Sequence, residues 1–91
     1  MMISDPQEEI LVIAQEEAAE IIQEISKCRR FGIDELHRDG TPHRIKLAQE
    51  VGDLMCMIDL MIEHSIIDAA EVDRARLGKQ HKLKIYSRIY Q

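Results

Sequence analysis

The stretch LVIAQEEAAEIIQEI, residues 11–25, decides the fold. Leu11, Ala14, Ala18, Ile21, Ile22 and Ile25 recur at three- and four-residue steps, which puts them on one face of an α-helix. Followed outward, the pattern begins at Asp5-Pro6, where Asp can cap and Pro is tolerated at the first helical position. Glu8 and Glu9 then sit near the positive end of the helix, and the apolar stripe runs to about Cys28. Phe31-Gly32 ends it, and the stretch to Gly40 reads as a loop or a short helical turn. Asp39-Gly40-Thr41-Pro42 is a turn followed by a new start, with Thr41 as cap and Pro42 at the first position. Leu47, Val51, Leu54, Met55, Ile58, Met61 and Ile62 carry a second stripe to about His64. Gly52 lies inside it at a cost of about 1 kcal/mol relative to Ala, which suits the close approach of another backbone. Asp68 and Glu71 form a capping pair for a third helix, from about Ala69 into the Lys84 region, with a weaker pattern interrupted at Gly78. The chain lacks β-hairpin signals, internal repeats and low-complexity tracts. It is expected to be all-α: one domain over residues 1–91, a helical bundle of three main helices.

Within these helices four carboxylates stand where solvent-facing residues are not expected. Glu17 and Glu20 are spaced i, i+3, as are Glu50 and Asp53, so each pair points from one side of its helix. Glu17 falls roughly 60° from the centre of the first stripe, among Ile10, Ile13 and Ile21. Met57 and Leu60 continue along the side that carries Glu50 and Asp53. Glu16 is nearly opposite the first stripe. Two antiparallel helices bring the pairs together, and a cluster of like charges persists only when protons or cations neutralise it. Mg²⁺ suits such a cluster because it prefers carboxylate oxygens and keeps waters and phosphates in its shell.

Composition narrows the classes. Apolar residues make up 45% of the 91, but the aromatics are only Phe31, Tyr86 and Tyr90, so aliphatic side chains must build the core. A helical chain of this length with so little aromatic volume completes its core by pairing with a copy of itself. Cys28 and Cys56 lack metal-type spacing and read as free thiols of a reducing compartment. Neither a signal peptide nor a run long enough to span a bilayer is visible, which points to a soluble, cytoplasmic protein and no membrane partner. Net charge is −5, with seven acids and no Lys or Arg from Met1 to Ser26, and six Lys or Arg and no acid from Arg74 to Gln91. That asymmetry reads either as two helices that attract one another or as a metal-binding wall facing a phosphate-binding one. Nucleic acid is disfavoured, because net charge is negative and no aromatic cluster accompanies the basic tail.

Glu16-Glu17-x-x-Glu20 followed by Glu50-x-x-Asp53 resembles the signature of MazG-like proteins, the all-α nucleoside triphosphate pyrophosphohydrolases. Lys27-Cys28-Arg29-Arg30-Phe31-Gly32, Leu47-Ala48-Gln49-Glu50-Val51-Gly52-Asp53-Leu54 and Lys79-x-x-Lys82-Leu83 also resemble small phage and bacterial members. The resemblance covers nearly the whole chain. It implies hydrolysis between the α and β phosphates of a nucleoside triphosphate, giving monophosphate and pyrophosphate. It implies Mg²⁺ held by Glu17, Glu20, Glu50 and Asp53, with Mn²⁺ able to substitute, and Glu16 or Glu20 taking the proton of the attacking water. Lys79 with Lys82, and Lys27 with Arg30, share i, i+3 spacing and are candidates for phosphate binding. The assembly expected is a homodimer or homotetramer. The pattern departs at His43, where many relatives carry Asn; in the first turn of the second helix it could approach the nucleotide, but a surface position is the expectation.

Two other classes compete. A di-iron carboxylate bundle needs Glu-x-x-His pairs on facing helices, and Asp34-Glu35-Leu36-His37 falls in a loop. A non-enzymatic helical interaction or regulatory module accounts for the basic third helix but leaves the enclosed acids without a role. The base and sugar are not legible, beyond a weak lean to deoxynucleotides such as dGTP and a base pocket lined by aliphatic groups and Phe31.

Overall fold

Ser4, one residue ahead of the expected cap, starts α1 (Asp5–Phe31) in the computed structural model, which describes residues 3–90. Its hydroxyl accepts the Gln7 N–H at 3.3 Å while the Gln7 side chain accepts the Ser4 N–H at 2.9 Å, a capping box. Asp5 is therefore the first helical residue rather than the cap. Gly32, at φ 100°, closes α1 by donating its N–H to the Cys28 carbonyl, in a conformation that a side chain disfavours.

α2 (His43–Glu63) has Pro42, not Thr41, at its cap, and no side chain caps it. The loop supplies acceptors instead: His43 N–H donates to Glu35 O at 3.0 Å and Arg44 N–H to Ile33 O at 2.9 Å. Two of the donors that a helix N-terminus leaves orphaned are thereby satisfied, and the 32–42 loop is folded back over the start of α2. Asp68 caps α3 (Ala69–Tyr86) by accepting the Ala70 N–H at 2.9 Å, whereas Glu71 pairs with Arg74 rather than completing a capping box.

Among the described residues only α1 and α2 pack extensively, as an antiparallel hairpin. Their shared seam recurs every seven residues: Ile10, Glu17 and Glu24 on α1 face Met57, Glu50 and His43 on α2. A seven-residue repeat is the spacing that keeps one strip of a helix against its partner. The hydrophobic part of the seam is small, with Ile10, Ala14 and Met57 at its centre and Ile13, Leu54, Leu60, Met61 and Ile66 around them.

The packed strip lies closer to the acids than the apolar stripes predict. Ile22, Ile25, Val51 and Met55, expected in the core, are exposed, Ile22 by 70% and Met55 by 59%. The reason is geometric: one neighbouring helix covers only the strip that faces it, and the apolar stripe of α1 is broader than that. Two faces of the hairpin result. Ile22 and Ile25 lie round α1 on the side that antiparallel packing aligns with Val51 and Met55 of α2, while Glu20 and Asp53 lie on the other side.

The three helices and the all-α class are as expected, but within one chain α3 docks on neither of the others and has no buried residue. The Cα trace spans 45 × 37 × 14 Å, so it is little more than one helix thick. No backbone approaches Gly52, nor is anything within 4 Å of a Cβ built there or at Gly78. None of the described helices is long and apolar enough to cross a membrane.

Truncating Met57 to Ala removes the side chain opposite Ile10 and should cost about 2–4 kcal/mol in a denaturant melt. An unchanged melt would show that the helices are not joined through this seam.

Candidate metal centre and the adjoining pocket

Midway along the seam, α1 presents Glu17 and α2 presents Glu50 and Asp53, and one carboxylate oxygen from each lies within 4.8 Å of the others. Glu17 and Glu50 are half-buried, and the Oε2 atom of each is enclosed without a hydrogen-bond partner. Buried carboxylate oxygens that lack a donor are costly unless a proton or cation reaches them. Glu50 shows that cost directly, its pKa pushed up to about 7. The largest cause is the Glu20 carboxylate, which accepts a hydrogen bond from protonated Glu50; desolvation and the negative charges of Glu20 and Glu17 add to it. Glu17 is raised as well, chiefly by desolvation and then by the charge of Glu20, partly offset by hydrogen bonding with Glu50. A hard, oxygen-only donor set with two unsatisfied buried oxygens fits Mg²⁺ or Mn²⁺.

The other expected site residues divide into three groups. Glu20 lies outside the three-carboxylate set but adjoins Glu50 and raises its pKa. Glu16 is exposed on the flank of α1. Lys27 is half-buried nearer the loop, its Nζ 3.4 Å from Glu24 Oε1, and Arg30 is exposed with its guanidinium 5.2 Å from the Phe31 ring centroid. Lys79 and Lys82 ride on α3, which packs on neither helix of the hairpin, so a single chain does not bring them to the acids.

Several residues that sequence reasoning left aside occupy the seam beyond the carboxylates. His43, expected at the surface, is only 5% exposed, because the heptad repeat turns it inward one step from Glu50. Its Nδ1 lies 3.9 Å from Oε2 of Glu24, which is 8% exposed, and neither atom has a hydrogen-bond partner. The His37 ring meets the His43 ring edge-on, and its Nε2 is 3.5 Å from Lys27 Nζ. Lys46, between the two groups on α2, donates to Asp39 at 2.7 Å; that bond is the main cause of its raised pKa. The same bond leads the causes that lower the Asp39 pKa, ahead of hydrogen bonds from Thr41. Lys27, Phe31, Leu36, His37, Arg38 and His43 are among the residues that line an open cavity of about 640 Å³ at the loop end of the hairpin. The signal that could have found Glu24 and His43 is the seven-residue step from Glu17 and Glu50.

Comparison of the chain with protein-family models, with curated proteins and with solved structures finds no match.

The raised pKa of Glu50 has a definite consequence for stability. The folded protein holds this proton more tightly than the unfolded chain, so the associated stabilisation is complete below the ordinary value of 4.5 and is lost as pH rises through about 7. Metal-free protein should therefore melt at lower temperature at about pH 8 than at about pH 5, and added Mg²⁺ should raise the melting temperature more at the higher pH. Glu50→Gln should flatten the pH dependence from this group, leave metal-free protein at least as stable at high pH, and weaken the Mg²⁺ response. A loss of metal-free stability with the Mg²⁺ response intact would identify Glu50 as half of a structural pair instead.

Proposed function

We propose that the protein is a metal-dependent nucleoside triphosphate pyrophosphohydrolase of the MazG-like type, releasing nucleoside monophosphate and pyrophosphate. The observation that carries this reading is the convergence of Glu17, Glu50 and Asp53 on one point of the seam, with two of their oxygens buried and unpartnered. A protein that gained nothing from the cluster would be more stable with apolar residues there.

The assignment of roles follows from position. Glu17, Glu50 and Asp53 hold the ion, with Glu20 completing the acidic wall from the same face. When bound, the divalent ion neutralises phosphate charge, polarises the α-phosphoryl group and lowers the pKa of water. Glu20 is the better placed of the two candidate bases, since it adjoins Glu50, whereas Glu16 points away from the seam. The water's oxygen bonds to the α-phosphorus as the bond to the bridging oxygen breaks, so pyrophosphate leaves with both electrons of that bond. Lys27 and Lys46 stand between the carboxylates and the loop on the same side of the hairpin, where their charge balances that of the substrate. Purified protein given a panel of NTPs and dNTPs with Mg²⁺ should release pyrophosphate and monophosphate in equal amounts; orthophosphate, or turnover after thorough chelation, would overturn the reaction.

A second copy of the chain completes the fold in this proposal. Ile22, Ile25, Val51 and Met55 form an exposed apolar face on a molecule one helix thick, and α3 offers Leu77 and Ile85 without an intramolecular partner. Pairing through that face leaves the acidic face open and offers α3 a surface to dock on, bringing the basic Lys79 and Lys82 toward an acidic wall. A reducing cytoplasm suits the two free thiols, Cys28 buried and Cys56 exposed. Light scattering at micromolar concentration should give a dimer or tetramer, and Ile22→Glu should shift it toward monomer. A folded monomer in the unmodified protein would remove this part of the proposal.

A further inference from the structure

The acidic face of the hairpin changes chemistry in order along its length. Glu20 and Asp53 mark that face at the middle, and the seven-residue step carries it to Ile13 on α1 and Leu60 on α2. There Pro6, Ile10, Ile13, Met57 and Leu60 supply the apolar wall of a cavity of about 290 Å³. That volume is close to the lower end of the range for small-molecule sites. Ile10 and Met57 are buried, while Ile13 and Leu60 are half-buried. Glu9 and His64, both exposed, complete the lining. The Gln7 side chain donates to the His64 carbonyl at 2.9 Å, which ties the two helices together at this end of the hairpin.

This cavity adjoins the carboxylates directly. Ile13 stands four residues before Glu17, and Met57 four residues after Asp53, so each lies one helical turn, roughly 6 Å, from a member of the cluster. On the other side of the cluster the same face turns basic. Lys46 precedes Glu50 by four residues. Its pKa is raised first by the bond to Asp39, and in lesser part by the nearby charges of Glu24 and Glu50. That bond, at 2.7 Å, uses one of the three donors an ammonium carries. Lys27 follows Glu20 by seven residues and lies 3.4 Å from Glu24. The order along one face is therefore apolar, then acidic, then basic.

A nucleoside triphosphate has the same polarity, with base and sugar at one end, the α-phosphate next, and most of the negative charge at the far end. Laid along this face with its α-phosphate at the carboxylates, it carries its β and γ phosphates to the lysines. The reverse orientation presses those phosphates against Ile13 and Leu60, which strips them of water and offers no partner in return. We infer that the apolar cavity beside the start of α1 receives the base and sugar of the nucleotide, and that Lys46 and Lys27 receive its terminal phosphates. The inference rests on the proposed pyrophosphohydrolase reading for its ligand, whereas the direction rests on the order of side chains along the face. None of the buried unpaired side-chain atoms among the described residues belongs to a residue lining this cavity. The base is thus held by apolar contact rather than by hydrogen bonds to its edge, and affinity follows ring area, with purines ahead of pyrimidines. Phe31, expected beside the base, lines the cavity at the opposite end of the hairpin.

Methyl NMR on the full-length protein separates the direction of binding from the reaction. Adenosine, which carries no phosphate, titrated into metal-free protein should shift the Ile13, Met57 and Leu60 methyl signals and leave Leu36 at the loop end in place. Cytidine should act on the same signals with weaker affinity. Pyrophosphate with Mg²⁺ should move the Lys46 side-chain signals and spare Ile13 and Leu60. Leu60→Ala should weaken adenosine binding about tenfold and preserve pyrophosphate binding, a split that a disturbed fold would not produce. Lys46→Met should do the reverse, weakening pyrophosphate about tenfold and sparing adenosine. Adenosine shifts at Leu36 and Phe31 with none at Ile13 and Leu60, or no shifts at all, would overturn the inference. So would Ile13 and Leu60 signals that respond to dilution of the protein and not to adenosine, since a second copy would then cover the cavity. Failure of the reaction registers elsewhere, in the products released from the nucleotide panel.

Discussion

Two acidic side chains face each other at the middle of the one extensive helix–helix contact among the described residues. Glu17 and Glu50 occupy seam positions that, one step toward the chain's amino terminus on α1, are filled by Ile10 and Met57. The hairpin is thus held together at one end by a small apolar cluster and pushed apart at its middle by like charge. A proton on Glu50, or a cation in its place, relieves that repulsion. The remainder of the architecture accommodates this constraint: a capping box at the start of α1, a loop folded onto the start of α2, and lysines arranged beside the acids toward that loop.

The placement of the apolar residues shows how much of this was legible in the sequence. Helix number, class and approximate limits follow from spacing and punctuation, because Gly32, Asp39-Gly40 and Asp68 act locally. Rotation of each helix about its axis does not. The stripes of α1 and α2 point to a face centred near Ala18 and near Val51 to Met55, yet the packed strip runs through Glu17 and Glu50. A stripe counts apolar residues and scores acids as outward, so it is pulled away from a seam that buries acids. It also assumes enough neighbours to cover its width, and one chain supplies only α2. For the same reason Gly52 meets no backbone here, and His43 looked like a surface residue at a helix start when the heptad turns it inward. The acids themselves were legible in part: i, i+3 pairs among isoleucines and methionines mark Glu17, Glu20, Glu50 and Asp53, and Glu17, Glu50 and Asp53 converge.

The flat shape links these observations to assembly. In a hairpin one helix thick, every residue not on the seam is on one face or the other, and here the faces differ in kind. One presents Ile22, Ile25, Val51 and Met55; the other carries Glu20, Lys27, Lys46 and Asp53 around the carboxylate cluster. Burial of the apolar face against another copy and exposure of the polar face to a small ligand make no competing demands on any residue. α3, long and largely polar, with Asp68 as its cap and no buried side chain, is stable as a docked element only if something outside its own hairpin covers Leu77 and Ile85. An isolated helix of its length is marginal in water.

The seven-residue step that joins Glu17 and Glu50 to Glu24 and His43 also separates their surroundings. Glu17 and Glu50 share an environment fixed by helix–helix contact, so their geometry tolerates little change. Glu24 and His43 are one repeat nearer the loop, where Phe31, His37 and Leu36 come from the end of α1 and from the 32–42 segment rather than from the seam itself. Substitutions in that segment can reshape the pocket without moving the carboxylates, because the backbone between the two sites is continuous helix on both sides. The carboxylates are thus tied to the helix–helix seam, and the cavity to the loop end of the hairpin.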